Sequence, residues 1–303
     1  MRKFLGIDIG GTNIKIALVQ EDGILLDKKK VSTTALRDHH DFIGEFIKTL
    51  VETIVSYEDI FQVGIAFPGT LTKDRISTVE LANIPELNGL PIKQLLHEKL
   101  PHHTFYLEND ANAAALGEFH FASPKITADS YLFLTLGTGL GSGVILDNKL
   151  FIGGSGNAME LGHIVASNGK TIEQNTGRKG MIDFAKQLMK DNPESMLHQE
   201  EYISPRTIEQ SAEKNDQCAL AVFEMVGKYL GEGIIAALRI LDIDVIVIGG
   251  GISPALPFIL PKLNDTLNQY LTYYYLDKIN IHEATLGNDA GVLGAAALCI
   301  NKK

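Results

Sequence analysis

Three glycine-rich turns, each following an apolar run, are the residues best suited to chemistry: Asp8-Ile9-Gly10-Gly11-Thr12, Leu136-Gly137-Thr138-Gly139-Leu140-Gly141 and Ile248-Gly249-Gly250-Gly251-Ile252-Ser253. Glycine lets a backbone approach a ligand and aim N–H groups at phosphate oxygens, and a neighbouring Thr hydroxyl adds a donor. Any one such turn reads as a tight hairpin or a helix entry. Three at strand ends, with Asp8 beside the first, point to a nucleotide and to phosphoryl transfer. Asp8 suits Mg²⁺ held through water between phosphates, because that chemistry needs a cation against developing charge. Its plainer reading is a turn-capping Asp. No G-x-x-x-x-G-K-[ST] loop occurs, and no turn fits G-x-G-x-x-G with a distal acidic residue. A P-loop or dinucleotide fold is therefore disfavoured.

A second group of residues can act on a hydroxyl. Asn109-Asp110 precedes an Ala-rich run, Ala111 to Leu116, which puts Asp110 at a helix start. There it reads either as an N-cap or as a carboxylate kept ionised by the helix terminus, fit to orient a hydroxyl and accept its proton. Glu160 and His163, spaced i, i+3, share a face on a helical turn and pair an acceptor with a donor. The same spacing suggests a metal pair, but H-E-x-x-H is absent and no cysteine lies nearby. By itself His163 reads as a structural histidine.

The elements that must position these groups follow from the apolar pattern. Phe4 to Asp8, Ile14 to Val19 and Ile24 to Val31 read as strands of an antiparallel meander, separated by Gly10-Gly11-Thr12 and Glu21-Asp22-Gly23. A helix near 40–55, a strand at 63–67, a helix near 92–99, a strand at 105–107 and a helix near 111–121 follow. The order then repeats: strands at 131–136, 142–147 and 149–152, helices near 205–213 and 218–241, a strand at 245–248, a helix near 256–271, a strand at 279–282 and a helix near 290–300. Two βββαβα halves, each with a Gly-rich turn after its first strand, argue for a duplicated α/β unit, with the ligand expected in a central cleft between two domains. Phe121-Ala122-Ser123-Pro124 marks the boundary. The expected domains are 1–122, completed by the C-terminal helix 290–303, and 123–289.

Composition narrows the function. The 303 residues are enough for two domains and a sizeable core, and 45% hydrophobic with 21% charged residues is an ordinary globular composition. A net charge of −10 disfavours general nucleic-acid binding. Two cysteines, Cys218 and Cys299, exclude a disulfide framework and a multi-cysteine zinc site, and suit a reducing cytoplasm. Asp8 interrupts the first apolar run too early for a signal peptide. The uncharged stretch Val245 to Pro261 is broken by three glycines and three prolines, so no membrane span is expected.

With these residues in order, the chain resembles the ROK sugar kinases, which have the ribonuclease H-like, actin and hexokinase type of ATPase fold. The resemblance runs through Asp8-Ile9-Gly10-Gly11-Thr12, Pro68-Gly69, Asn83-Ile84-Pro85, Glu108-Asn109-Asp110-Ala111-Asn112-Ala113, Leu136-Gly137-Thr138-Gly139, Glu160-Leu161-Gly162-His163 and Gly249-Gly250-Gly251. It implies an ATP-dependent kinase acting on the 6-hydroxyl of a hexose, glucose first among acceptors, with N-acetylmannosamine and other hexoses behind it. Asp110 is then the catalytic base. Gly69, Asn83, Asn109, Asp110, Glu160 and His163 hold the sugar, and Gly10, Gly11, Thr12, Thr138, Gly139, Gly250 and Gly251 hold ATP, with Asp8 on Mg²⁺. A homodimer or homotetramer is also implied.

The chain departs from the family pattern after His163. Many members carry there a cysteine-rich zinc loop ending in a sugar-binding Glu, whereas Ile164 to Gly177 holds no cysteine, so no zinc is expected. Placing the gap before Ile172 makes Glu173 the third sugar carboxylate, and a gapless reading gives Asp183; the Thr176-Gly177 that follows favours Glu173. Leu87 stands where the family has Trp. Three rival functions follow. A transcriptional repressor would carry a helix-turn-helix before the first strand. A non-catalytic sugar sensor would be expected to lose Asp110 or the glycine turns. A polyphosphate-dependent glucokinase would favour a basic groove, for which Lys28-Lys29-Lys30 and Arg178-Lys179 are the local candidates, readable equally as solvated surface.

Overall fold

The computed structural model describes residues 1–300; positions 301–303, the end of the expected C-terminal helix, lie outside the described residues. The chain opens with β1 (Lys3–Ile9), β2 (Asn13–Gln20) and β3 (Leu25–Ser32), a meander in which Ile9 faces Ile14 and Asp8 faces Lys15. A short α1 (Thr33–Leu36) and the amphipathic α2 (Phe42–Val55) follow, α2 burying Phe46, Leu50 and Ile54 at helical spacing. Next come β4 (Gln62–Phe67), a small hairpin of β5 (Thr70–Leu71) and β6 (Thr78–Glu80), α3 (Ile92–Lys99), β7 (Thr104–Asn109) and α4 (Asp110–Phe121).

The first sheet has the order β3-β2-β1-β4-β7, with β4 parallel to both β1 and β7. Its central strands are buried along nearly their whole length, as strands covered on both faces must be. Ile7, Ile9, Ile14, Ile16, Ile65, Phe67 and Leu107 form one apolar cluster with α2. Lys28, Lys29 and Lys30 lie on the edge strand β3, where Lys28 pairs with Asp289 and Lys29 lies 4.4 Å from the Tyr57 ring centre. Lysine on an edge discourages pairing with another chain.

The second half repeats the plan with β8 (Tyr131–Leu136), β9 (Leu140–Leu146) and β10 (Lys149–Leu150). Two helices that the sequence reading does not contain come next, α5 (Ile172–Thr176) and α6 (Arg178–Met189). α5 has only five residues, too few to show an apolar period despite the Thr171–Gln174 capping box at its start, and α6 buries only Met181 and Ala185 and starts at Gly177 without a side-chain cap. After them run α7 (Pro205–Ala212), α8 (Gln217–Leu241), β11 (Val245–Gly249), α9 (Leu256–Tyr270), α10 (Tyr273–Leu276), β12 (Asn280–Glu283) and α11 (Ala290–Ala297). The second sheet has the order β10-β9-β8-β11-β12, the same plan as the first.

Two compact units result. One comprises Met1–Asp129, Gly143–Met159 and the described residues from Thr285 on; the other comprises Ser130–Ser142 and Glu160–Ala284. In the first, Asn157 is tied to Leu71 by two hydrogen bonds, accepting from its N–H at 3.2 Å and donating to its carbonyl at 3.0 Å. α11 is built almost wholly of Ala and Gly, and Ala295 buries against Ala66 of β4 and Ala113 of α4. Small side chains let helix and sheet backbones approach closely. No described helix is long and apolar enough to cross a membrane.

Candidate active site

In the first unit the turn after β1 is held from behind. Gly10 N–H donates to the Asn13 carbonyl at 3.0 Å, and the Gly10 carbonyl accepts from the buried Thr33 hydroxyl at 2.7 Å. The Gly11 carbonyl accepts from Arg37 Nη1 at 3.1 Å. Gly11 lies flat on the loop carrying Asn83, where an added Cβ would stand 2.9 Å from the Asn83 Cβ and 3.1 Å from its carbonyl oxygen. Thr12 and Asn83 are exposed. Asp8 is largely buried beside the turn, 3.3 Å from Lys15 Nζ. Burial pushes its carboxyl up from the ordinary range, against the opposing pull of Lys15.

Gly69, Asn109 and Asp110 come together at the junction of β7 and α4. The helix cap is Asn109, not Asp110: Asn109 Oδ1 accepts from the N–H groups of Ala111 at 2.9 Å and Asn112 at 3.0 Å. Capping by the neighbour puts Asp110 in the first helical turn, where the N–H dipoles favour a carboxylate. Asp110 accepts from Ala111 N–H at 2.8 Å and from Asn109 Nδ2 at 3.2 Å. The same Asn109 amide reaches the Gly69 carbonyl at 3.2 Å, and Gly69 has φ +140. Gly69, Asn109 and Asp110 are thus one hydrogen-bonded group, with Asn83 on the neighbouring loop.

Behind this group lies an ion pair that the sequence reading did not assign. Arg75 donates to both carboxylate oxygens of Glu108, at 2.8 and 3.0 Å, with side chains only 13% and 6% exposed. Arg75 also donates to the carbonyls of Thr72 at 3.2 Å and Gly156 at 2.6 Å. Glu108 in turn accepts from Asn109 N–H at 2.9 Å and Asn112 Nδ2 at 3.1 Å. Glu108 was visible within its motif. Arg75, 33 positions away, carries no sequence signal of its own.

In the second unit the turn after β8 carries Thr138, exposed, and Gly139. Arg178 N–H, opening α6, donates to the carbonyls of Gly137 at 3.1 Å and Thr138 at 3.2 Å. Glu173 lies directly on this turn: its Oε2 accepts from Leu140 N–H at 2.9 Å, and a Cβ at Gly139 would overlap its carboxylate. Asp183 is exposed and pairs with Lys179 at 2.6 Å, which holds its carboxyl below the usual range. Thr138, Glu173, Gly177 and Asp183 line one cavity of about 940 Å³. Glu160 and His163 are exposed on a short 3-10 turn, 3.9 Å apart from Oε2 to Nδ1. Gly250, with φ +92, packs against the backbone of Leu136 after β11, and Gly251 lines a second cavity of about 220 Å³ with Arg206, Glu209 and Pro254.

Among the described residues no group of three or more His, Cys, Asp or Glu is placed to hold a metal ion. Asp8, beside the Gly10-Gly11-Thr12 turn and 3.3 Å from Lys15 Nζ, offers a single carboxylate, the number Mg²⁺ uses where phosphate oxygens and water fill the rest of its shell.

The chain matches the model of the ROK family over residues 4–302. It is 29% identical to the glucokinase of Thermotoga maritima, over 98% of this chain and 96% of that relative. Among solved structures, that of a proposed sugar kinase from Cytophaga hutchinsonii superposes with a TM-score of 0.91 at 37% identity, covering 98% of this chain and 99% of that one. A ROK family glucokinase from Streptomyces griseus, in complex with glucose and AMPPNP, superposes with a TM-score of 0.82 at 28% identity, covering 99% and 100%. Matched along almost its whole length in sequence, and carrying the duplicated α/β sheets of the actin and hexokinase type, the chain belongs to the ROK family.

Proposed function

We propose that this ROK-family sugar kinase transfers the γ-phosphoryl group of ATP to the 6-hydroxyl of a hexose, with glucose as the acceptor. The observation that carries the reading is the arrangement within the first unit. The Gly10-Gly11-Thr12 turn packs on Asn83, and Asn109 links Gly69 to Asp110 at the start of α4. Glucose is supported by the glucokinases among the similar proteins.

In this reading Asp110 orients the 6-hydroxyl and takes its proton while the oxygen attacks the γ-phosphorus in line. The bond from that phosphorus to the β–γ bridging oxygen breaks, and ADP leaves with the electron pair. Gly69, Asn83, Asn109, Glu160, His163 and Glu173 hold the sugar. Gly10, Gly11, Thr12, Thr138 and Gly139 hold phosphates, and Gly250 and Gly251 the adenosine side. Asp8 would hold Mg²⁺, which would supply positive charge to offset the charge on the transferred group.

The test is a panel of hexoses, glucose and N-acetylmannosamine included, offered with MgATP or polyphosphate, and with Asp110→Asn as control. Turnover of glucose with ATP, reduced by about 10²–10⁴-fold in Asp110→Asn, is the expected result. Turnover of N-acetylmannosamine alone would replace the acceptor. Polyphosphate as the better donor would replace ATP. Near-normal turnover by Asp110→Asn would remove Asp110 from the base role.

A further inference from the structure

Neither Arg37 nor Glu86 belongs to any motif of the sequence, yet together they join the two loops on which the proposed reaction depends. Arg37 closes α1, and its guanidinium uses four N–H bonds on three partners. Nε and Nη2 donate to the Glu86 carboxylate at 2.7 and 3.2 Å. Nη1 donates to the Gly11 carbonyl at 3.1 Å, and Nη2 to the Asn83 carbonyl at 2.6 Å. The Phe42 ring, centred 5.9 Å from the guanidinium carbon, flanks the plane. Glu86 is held below the ordinary carboxylate range chiefly by its hydrogen bond to Arg37.

The consequence follows from peptide geometry. In a trans peptide the C=O and the next N–H point in opposite directions. Tying the Gly11 carbonyl to Arg37 therefore turns the Thr12 N–H away from Arg37. Tying the Gly10 carbonyl to Thr33 likewise turns the Gly11 N–H away from Thr33. Among the described residues, no hydrogen bond within the chain uses the N–H of Gly11 or Thr12. Two donors are thus held outward by anchors behind the turn. The anchor for one of them also fixes the backbone of Asn83.

We infer that Arg37 is a positioning residue that locks the phosphate-binding turn to the sugar-binding loop, so that the grip on donor and the grip on acceptor are set together. The roles of the two loops rest on the hexose kinase reading; the lock itself rests on the geometry. A lysine cannot replace it. One ammonium is a single point of donation, whereas the planar guanidinium reaches a carboxylate and two carbonyls at once.

The test compares the full chain with Arg37→Met, Arg37→Lys and Glu86→Gln, measuring KM for hexose and for MgATP and amide hydrogen exchange over 10–13 and 83–86. We expect Arg37→Met to raise both KM values and to lower kcat/KM by about 10²-fold, the order of loss that small misplacement produces. Exchange should quicken in both segments, and Arg37→Lys should restore neither. A KM change for one substrate alone, unchanged exchange in either segment, or full rescue by Arg37→Lys overturns the proposal. Should Arg37→Met fail to fold, Glu86→Gln removes the charge of one anchor and is expected to move the same readouts in the same direction, by less. A wild-type protein that phosphorylates no hexose would overturn the kinase reading, while exchange in the two segments would still decide the lock.

Discussion

Replacing Arg75 by Met strands a charge. The Glu108 carboxylate is 6% exposed and receives two bonds from Arg75, at 2.8 and 3.0 Å. Removing one partner of a buried ion pair leaves the other uncompensated and costs about 3–5 kcal/mol. Two further bonds vanish, those from Arg75 to the carbonyls of Thr72 and Gly156. Arg75 also sits at φ +57, a strain that Met inherits, so no relief offsets the loss. Glu108 keeps its bonds from Asn109 N–H and Asn112 Nδ2, which places the effect within that range rather than above it. At roughly 2–4 °C per kcal/mol for a unit of this size, the melting temperature should fall by about 6–20 °C. The assay is thermal unfolding followed by calorimetry, with kcat/KM for the hexose measured well below the transition. Activity should fall too, because Glu108 holds the N–H of Asn109, whose side chain contacts Asp110. The double change Arg75→Met with Glu108→Leu should recover much of the stability, since buried pairs exchange for apolar groups at little loss. A single variant within about 0.5 kcal/mol of wild type, as a surface change would be, refutes the reasoning. So does a double variant less stable than either single one.

Three further outcomes are expected. Gly11→Ala brings a Cβ to 2.9 Å from that of Asn83, so the turn and the loop must separate, and KM should rise for hexose as well as for MgATP in steady-state assays. Glu173→Gln keeps an acceptor for Leu140 N–H but loses the charge, so hexose KM should rise with MgATP KM little changed, whereas Glu173→Ala should raise both. Burial holds His103 and His120 below the ordinary histidine range, each favouring its neutral form in the fold. That contribution is complete above the unfolded value of about 6.5 and is lost as pH falls through the folded values, so the urea midpoint should drop on acidification from neutrality. Phe at both positions should flatten the profile.

The strands that carry the site were legible because each is a short apolar run bounded by Gly, Asp or Asn, a pattern local to the chain. β1 and β8 end in their glycine turns where the composition says they must, and α4 begins at an Asn-Asp pair followed by alanines. Less local features were not legible. α6 has a thin apolar face and no polar cap, and its place is set by Arg178 N–H bonding to the Gly137 and Thr138 carbonyls. Whether Asn109 or Asp110 caps α4 depends on a single backbone step, since either side chain can accept the same N–H groups.

The amino-acid sequence by itself determined the duplicated α/β plan, the glycine-rich turns at strand ends and the Asn109-Asp110 pair at a helix start, because periodicity, glycine placement and helix starts are properties of neighbouring residues. Only the tertiary structure decided what stands behind those groups. Arg75 meets Glu108 across 33 positions and Arg37 meets Glu86 across 49, with no spacing rule to announce either pair. The packing of Gly11 on Asn83 and of Glu173 on Gly139 is likewise a matter of which surfaces the fold presses together. An ion pair distant in sequence forms where folding brings two side chains together, buried for Arg75 and Glu108 and partly exposed for Arg37 and Glu86, and that place exists only once the sheets and helices have assembled.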